Sequence, residues 1–199
     1  SLNWQLVILI VSYDSVGVIW CSFNGKLTIS NCKFIRILGR SSDGCIIIAN
    51  YNNIINLTLE KCEFFDCGRK SYNIPLISLY NHQSSIYFYE CNFTYSNSSQ
   101  SYRILDINSN KAKLDHCRFI NCGENTIYLS KYSTQDDING TFQFTNNYVT
   151  SNNGNFINVT KMSIKPIINN NIFENTTIKN NFLIYISHNL NQIELINNS

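Results

Sequence analysis

Apolar and polar residues alternate along this chain in short bursts, and the bursts align with one another. Leu27-Thr28-Ile29-Ser30-Asn31-Cys32-Lys33-Phe34 matches Leu57–Phe64, Ile86–Phe93 and Ala112–Phe119 without a gap. Drifting copies follow at Phe142–Val149 and Pro166–Phe173, and a truncated one at Ile193–Ser199. Each copy alternates with a period of two, skips two polar positions and alternates again. That pattern predicts two short strands joined by a tight bend, and no long segment has the 3.6-residue spacing of a capped helix. The segments Cys45–Ala49, Pro75–Tyr80, Arg103–Ile107, Thr126–Ser130, Phe156–Thr160 and Phe182–Ser187 predict a further strand ahead of each copy. Their alternation places Ile77 with Leu79, Leu105 with Ile107, Ile127 with Leu129, Ile157 with Val159, and Ile184 with Ile186 on one face.

Three short strands recurring every 24–30 residues describe one coil of a solenoid. A single coil cannot bury its own apolar face, whereas stacked coils can. The expected fold is therefore all-β: a right-handed parallel β-helix of about seven rungs, residues 1–199 forming one domain. An antiparallel sandwich is the competing fold, but it does not require the same residue at the same place in every unit. Bends of constant length set against loops of varying length, after each Phe position and at Lys131–Gly140, point to the loops as a place for binding contacts.

Stacking places Cys32, Cys62, Cys91 and Cys117 in one column, continued by Asn147, Asn171 and Asn198. Neighbouring rungs lie ~4.8 Å apart, so like side chains form a ladder along the axis. Parallel side chains at that spacing hold Cβ atoms slightly too far apart for a relaxed disulfide, so buried free thiols are expected. A local bond remains the alternative for Cys62 with Cys67 and for Cys117 with Cys122, which share the spacing Cys-x-Phe-x-x-Cys. These pairs lack the Cys-x-x-Cys spacing of zinc sites, and no metal or cofactor is expected.

Composition narrows the function. Hydrophobic residues make up 44% and charged residues 14%, which describes a chain with a core. The net charge of +2 gives no clustered basic surface for nucleic acid. Asparagine supplies 32 of 199 residues, and with only 8 Gly and 2 Pro the turns fall to Asn, Asp and Ser. No apolar run approaches the ~18–20 residues of a membrane-spanning helix. Leu6–Val11 is too short for a signal-peptide core and reads as a buried strand. The chain starts abruptly and stops in mid-motif, so it is expected to be a stretch of a longer solenoid whose signal peptide and membrane anchor lie outside it.

The strings NCKF, KCEFFDCG, ECNFTYSN and HCRFINCG, each followed by a loop and an apolar strand, resemble the repeats of polymorphic-membrane-protein-like surface proteins of bacteria and parasitic protists. The resemblance covers about Gly17 to the C-terminus. SDGCIII and NNGNFIN stand where that family has Gly-Gly-Ala-Ile. The resemblance implies a right-handed, pectin-lyase-like β-helix, a cell-surface or extracellular location, and an adhesive partner: a protein or glycan on a host or neighbouring cell.

Similar β-helices include polysaccharide lyases and glycoside hydrolases, whose chemistry needs clustered carboxylates. On the outer face of the first strand of each rung, where such enzymes place them, only Asp106 appears, so no catalytic set is expected. Charge gathers instead near the bend, where register stacks Glu60, Tyr89 and Asp115, with Lys61, Glu90 and His116 beside them. Mixed charges of this kind keep a sheet soluble. His82 and His188 lie in distant rungs, and Asp136 and Asp137 lack calcium-loop spacing. The expected contact surface is an outward apolar stripe of Leu76, Ile104, Phe156 and Leu183, with Tyr128 and Tyr185. Glycosylation sequons occur at Asn56, Asn92, Asn97, Asn139, Asn158, Asn175 and Asn197. A plain structural stalk is the third functional reading.

Overall fold

A computed structural model describes residues 2–5, 8–10, 19–37, 46–49, 52–67, 75–79, 81, 83–96, 104–107, 111–123, 126–130, 140–152, 154–160, 164–177, 183–187 and 194–199. The strands form three parallel sheets. Sheet 1 holds Leu2–Gln5, Gly25–Ser30, Ile55–Glu60, Ser85–Tyr89, Lys111–Asp115, Gly140–Thr145, Ile164–Asn169 and Glu194–Ile196. Sheet 2 holds Ile8–Ile10, Lys33–Ile35, Glu63–Phe65, Asn92–Thr94, Arg118–Ile120, Tyr148–Thr150 and Ile172–Glu174. Sheet 3 holds Ile19–Cys21, Ile47–Ala49, Ile77–Leu79, Leu105–Ile107, Ile127–Ser130, Ile157–Thr160 and Ile184–Ser187. Within each sheet the strands follow chain order, as coils of a parallel β-helix must. The first coil, with Leu2–Gln5 paired to Leu27–Ser30, adds one copy to those visible in the sequence.

Two corners share one design. Between sheets 1 and 2 the bend is two residues. Its first residue, Asn31, Lys61, Glu90, His116, Asn146, Asn170 or Asn197, has φ between 50° and 56°. This left-handed conformation turns the next side chain inward, and that residue is the expected column of Cys32, Cys62, Cys91, Cys117, Asn147 and Asn171, all buried. The second corner, after sheet 2, repeats the move. Arg36, Asp66, Asn121, Ser151 and Asn175 are left-handed, and Ile37, Cys67, Cys122 and Asn152 follow them inward. The Cys-x-Phe-x-x-Cys spacing thus marks two successive corners. All seven described cysteines are free and buried.

The column side chains serve the backbone that the bend leaves unpaired. Asn147 Nδ2 donates to the Leu114 carbonyl at 3.0 Å, while its Oδ1 accepts from Cys117 N–H at 2.8 Å. Asn171 does the same for Phe144 (2.8 Å) and Asn147 (2.9 Å), and Asn198 for Ile168 (2.8 Å) and Asn171 (3.2 Å). Cysteine covers half of that work: Cys91 Sγ lies 3.4 Å from the Leu59 carbonyl, three residues before Cys62 just as Leu114 lies three before Cys117. Cys62 and Cys67 address Ile29 (3.5 Å) and Phe34 (3.2 Å) in the same way. Hydrogen bonding within the thiol column and burial push Cys62 and Cys91 well above the ordinary thiol range, and burial lifts Cys67 to about 11.

Below the corner the core is a stack. Phe34, Phe64, Phe93 and Phe119 lie face over face at 4.9, 4.7 and 5.1 Å with rings 5° from parallel. Phe144 and Phe156 meet this stack at an angle. The interplanar offset typical of aromatic pairs is supplied by the strand spacing itself.

The corner that leads into sheet 3 corrects the expected outward stripe. Leu76, Ile104 and Phe156 are fully buried, and Leu183 packs partly buried against the same core. In this column two successive N–H groups share one acceptor: Ile104 and Leu105 both reach the Thr126 carbonyl, at 2.7 and 3.3 Å, and Phe156 and Ile157 both reach Leu183, at 2.8 and 3.2 Å. Strand alternation has not yet begun at a corner, so two consecutive side chains fall inward. The sheet 3 strands accordingly start at Ile77, Leu105, Ile157 and Ile184, one or two residues later than the sequence pattern suggests.

Three substitutions test the corners. Asn147→Ala strands the Cys117 N–H and the Leu114 carbonyl and should cost about 2–4 kcal/mol in urea unfolding. Cys91→Asn, which gives Cys62 N–H an acceptor, should instead be neutral or stabilise by about 1 kcal/mol. Ile104→Lys should destabilise by more than about 4 kcal/mol, because it buries an unpaired charge. A folded, fully stable Ile104→Lys variant would contradict the core assignment.

Candidate functional site

With the stripe inside, what the scaffold leaves free is the outer face of each sheet. On sheet 1, in-register pairing sets Tyr87 beside Lys113 and Tyr89 beside Asp115. The Lys113 ammonium lies 5.1 Å from the Tyr87 ring centre, and Tyr87 and Tyr89 are 6.1 Å apart. His116, at the left-handed corner, meets the edge of Tyr89 at 5.8 Å. The result is a flat patch of half-buried tyrosines beside Lys113 and His116, built on strands and the bend that follows them.

Asp115 anchors that patch. Its carboxylate takes Lys113 Nζ at 3.1 Å and His116 Nδ1 at 3.0 Å. It also accepts from Thr145 Oγ1 at 3.1 Å and Asn146 Nδ2 at 2.9 Å. Burial raises its pKa, but the hydrogen bonds from Asn146, Lys113 and Thr145 outweigh burial, and the net shift is downward. The stacked charges predicted near the bend are thus in register, and they neutralise one another: Lys61 sits 3.7 Å from Glu60 and 3.8 Å from Glu90. Asp115 is a fixed anion that orders its neighbours, a poor proton donor near neutrality.

Sheet 2 carries a different feature. One outward row runs Lys33, Glu63, Asn92, Arg118, Tyr148, and the next runs Ile35, Phe65, Thr94, Ile120, Thr150. Between them lies a depression of about 220 Å³ over Glu63, Phe65, Asn92, Thr94, Arg118 and Ile120. Phe65 is 37% exposed there. Lys33 and Glu63 pair at 2.8 Å, and Arg118 lies over Tyr148 at 5.3 Å. Tyr148 donates to Glu174 at 2.6 Å, and this bond holds its phenol above the ordinary range.

On sheet 3, Tyr128, Asn158 and Tyr185 form one outward row, and Asp106 pairs in register with Tyr128. Tyr185 is exposed and Tyr128 half-buried, so of the predicted contact residues these two stay at the surface, while Leu183 is partly covered by the core it packs on. Of the sequons, Asn56 is exposed with Oδ1 accepting from Ser85 at 2.7 Å, and Asn175 and Asn197 are exposed at left-handed corners. Asn92 is half-buried in the depression, and Asn158 has its Oδ1 enclosed. Asn97, Asn139, His82, His188, Asp136, Asp137 and the loop 131–139 lie outside the described residues. Sequence reading passed over Tyr87, Phe65 and Ile120, although the outward alternation of each copy already marked them. Among the described residues no group of three or more His, Cys, Asp or Glu is placed to hold a metal ion.

A family model described as a right-handed β-helix region matches residues 17–199. No curated protein and no solved structure matched the chain.

The Asp115 cluster gives a pH signature. A depressed carboxylate pKa stabilises the fold above its unfolded value, about 3.9, and that contribution is lost as pH falls through the lower folded value. Thermal melts of the parent chain should therefore show an acid loss of stability below about pH 4. In Asp115→Asn that part of the acid limb should disappear while stability near pH 7 falls. An unchanged acid limb would refute the carboxylate assignment.

Proposed function

The chain belongs to the right-handed β-helix family, and from that premise we propose that it is a non-enzymatic recognition module. It acts outside the cell or at its surface and binds a protein or glycan on a host or neighbouring cell through the outer face of sheet 1. The observation that carries this reading is the pairing of Tyr87 with Lys113 on contiguous strands, with His116 at the adjoining corner against Tyr89. Tyrosine presents a large amphipathic contact area with little conformational entropy to lose, and strands hold it in place before a partner arrives. The resemblance of the repeats to surface-protein repeats supports the location. The Asp115 carboxylate, engaged by four groups and biased toward ionisation, supports binding over acid–base chemistry.

The test is quantitative binding of the purified chain to cells. Tyr87→Ala combined with Lys113→Ala should weaken binding by about tenfold or more while the melting temperature changes little. A polysaccharide lyase or hydrolase would cleave polyuronides and lose that activity in Asp115→Asn or Glu90→Gln, whereas no cleavage is expected. Binding that tolerates every outward substitution on sheet 1 would leave the chain a stalk and sink the recognition reading.

A further inference from the structure

We infer that the depression on sheet 2 is the seat of an N-linked glycan carried by Asn92, its first sugar resting on Phe65. Two independent features coincide there. The first is the sequon Asn92-Phe93-Thr94, whose Asn and Thr side chains both line the depression while Phe93 points into the core. The second is the way the neighbours of Asn92 part. Glu63, one rung before, leans back to Lys33 at 2.8 Å, and Arg118, one rung after, leans forward over Tyr148. The strand spacing alone would crowd Asn92 between two long side chains ~4.8 Å away on either side. Their opposite leanings open the space above its carboxamide.

Phe65 completes the seat. It pairs with Thr94, which makes it a diagonal neighbour of Asn92, about 7–8 Å away along the sheet. A pyranose joined to Asn92 Nδ2 spans that distance and can lay its C–H face on the exposed ring. Ile120 borders the same patch, and Glu63 and Arg118 form its rim. No hydrogen bond to another described residue engages the Asn92 carboxamide. By contrast, Asn158 has its Oδ1 enclosed.

The modification is a glycosyl transfer from a lipid-linked oligosaccharide diphosphate. The Asn92 Nδ2–C bond to the anomeric carbon forms as the anomeric C–O bond breaks. The lipid diphosphate leaves with that electron pair, and Nδ2 gives up one proton, which ends on the departing diphosphate or the solvent. Its second N–H and its Oδ1 are retained. Transfer to the extended chain before folding leaves the sugar to settle on Phe65 once the rungs stack.

The inference shares with the proposed function only the secretory route. The test uses the full chain secreted from eukaryotic cells, with its glycans trimmed enzymatically to the first sugar, beside the same chain made unglycosylated in bacteria. Peptide mapping should find Asn92 occupied. Asn92→Gln should lower the melting temperature of the secreted chain by about 2–4 °C more than it lowers that of the bacterial chain. In a Phe65→Ala background that extra loss should shrink below about 1 °C. An unmodified Asn92 in the folded, secreted chain overturns the inference, and so does an extra loss that Phe65→Ala leaves intact. Cell binding by the Tyr87 variants is read on the same preparations, so the glycan seat and the recognition face fail separately.

Discussion

Everything in this structure depends on satisfying the backbone where the chain turns. A parallel strand pair satisfies itself, but a coil must break three times per rung, and each break strands polar groups beside a dry core. Here two of the three corners begin alike, with one left-handed residue and then one inward side chain. At the bend between sheets 1 and 2 that side chain is short and serves the previous rung. Asparagine meets both needs, donating through Nδ2 and accepting through Oδ1, and cysteine meets the first at nearly the same volume. The first residue of the bend is free of such duty. That freedom explains why Lys61, Glu90 and His116 occupy a conformation that asparagine usually supplies, since rung stacking over-determines it.

The corner also decides what the cysteines are. A thiol that donates to a carbonyl three residues before its neighbour's column position is fixed in rotamer, buried, and biased against the thiolate that reacts. The eight cysteines in the sequence invite a disulfide or a metal, yet the geometry makes the described ones packing residues with a single weak donor. The phenylalanine stack follows from the same register. Once Cys32, Cys62, Cys91 and Cys117 are locked rung over rung, the residue two positions later must repeat its place to within the strand spacing.

How much of this the sequence discloses varies from corner to corner. The sheet 1 bend was legible because its length is invariant and its residues differ in kind from the strands on either side. The corner into sheet 3 was not, because Leu76-Ile77, Ile104-Leu105 and Phe156-Ile157 present two apolar residues in succession. A strict period of two must assign one of each pair outward. The rule fails where consecutive N–H groups share an acceptor, and sequence carries no mark of that. The outer faces were legible only in part. Register correctly stacked Glu60, Tyr89 and Asp115, but the leaning of Glu63 and Arg118 away from Asn92 depends on partners two rungs from Asn92 on either side.

An interior specified so tightly has a consequence for function. Each inward position is answerable to the rungs above and below, so a substitution there is felt as lost stability before it is felt as altered activity. Outward positions answer only to their row neighbours, where pairing energies are small and permissive. Selection for a partner or a modification can therefore act on the outside of the coil nearly independently of the fold. The same rows show how: on sheet 1 cations and tyrosines are drawn together over Asp115, whereas on sheet 2 the charged groups are drawn apart around Asn92. One arrangement makes a continuous contact face, and the other clears a space. Both use the fixed rung spacing, which turns the choice of a side chain's partner, one rung forward or one rung back, into a choice of surface shape.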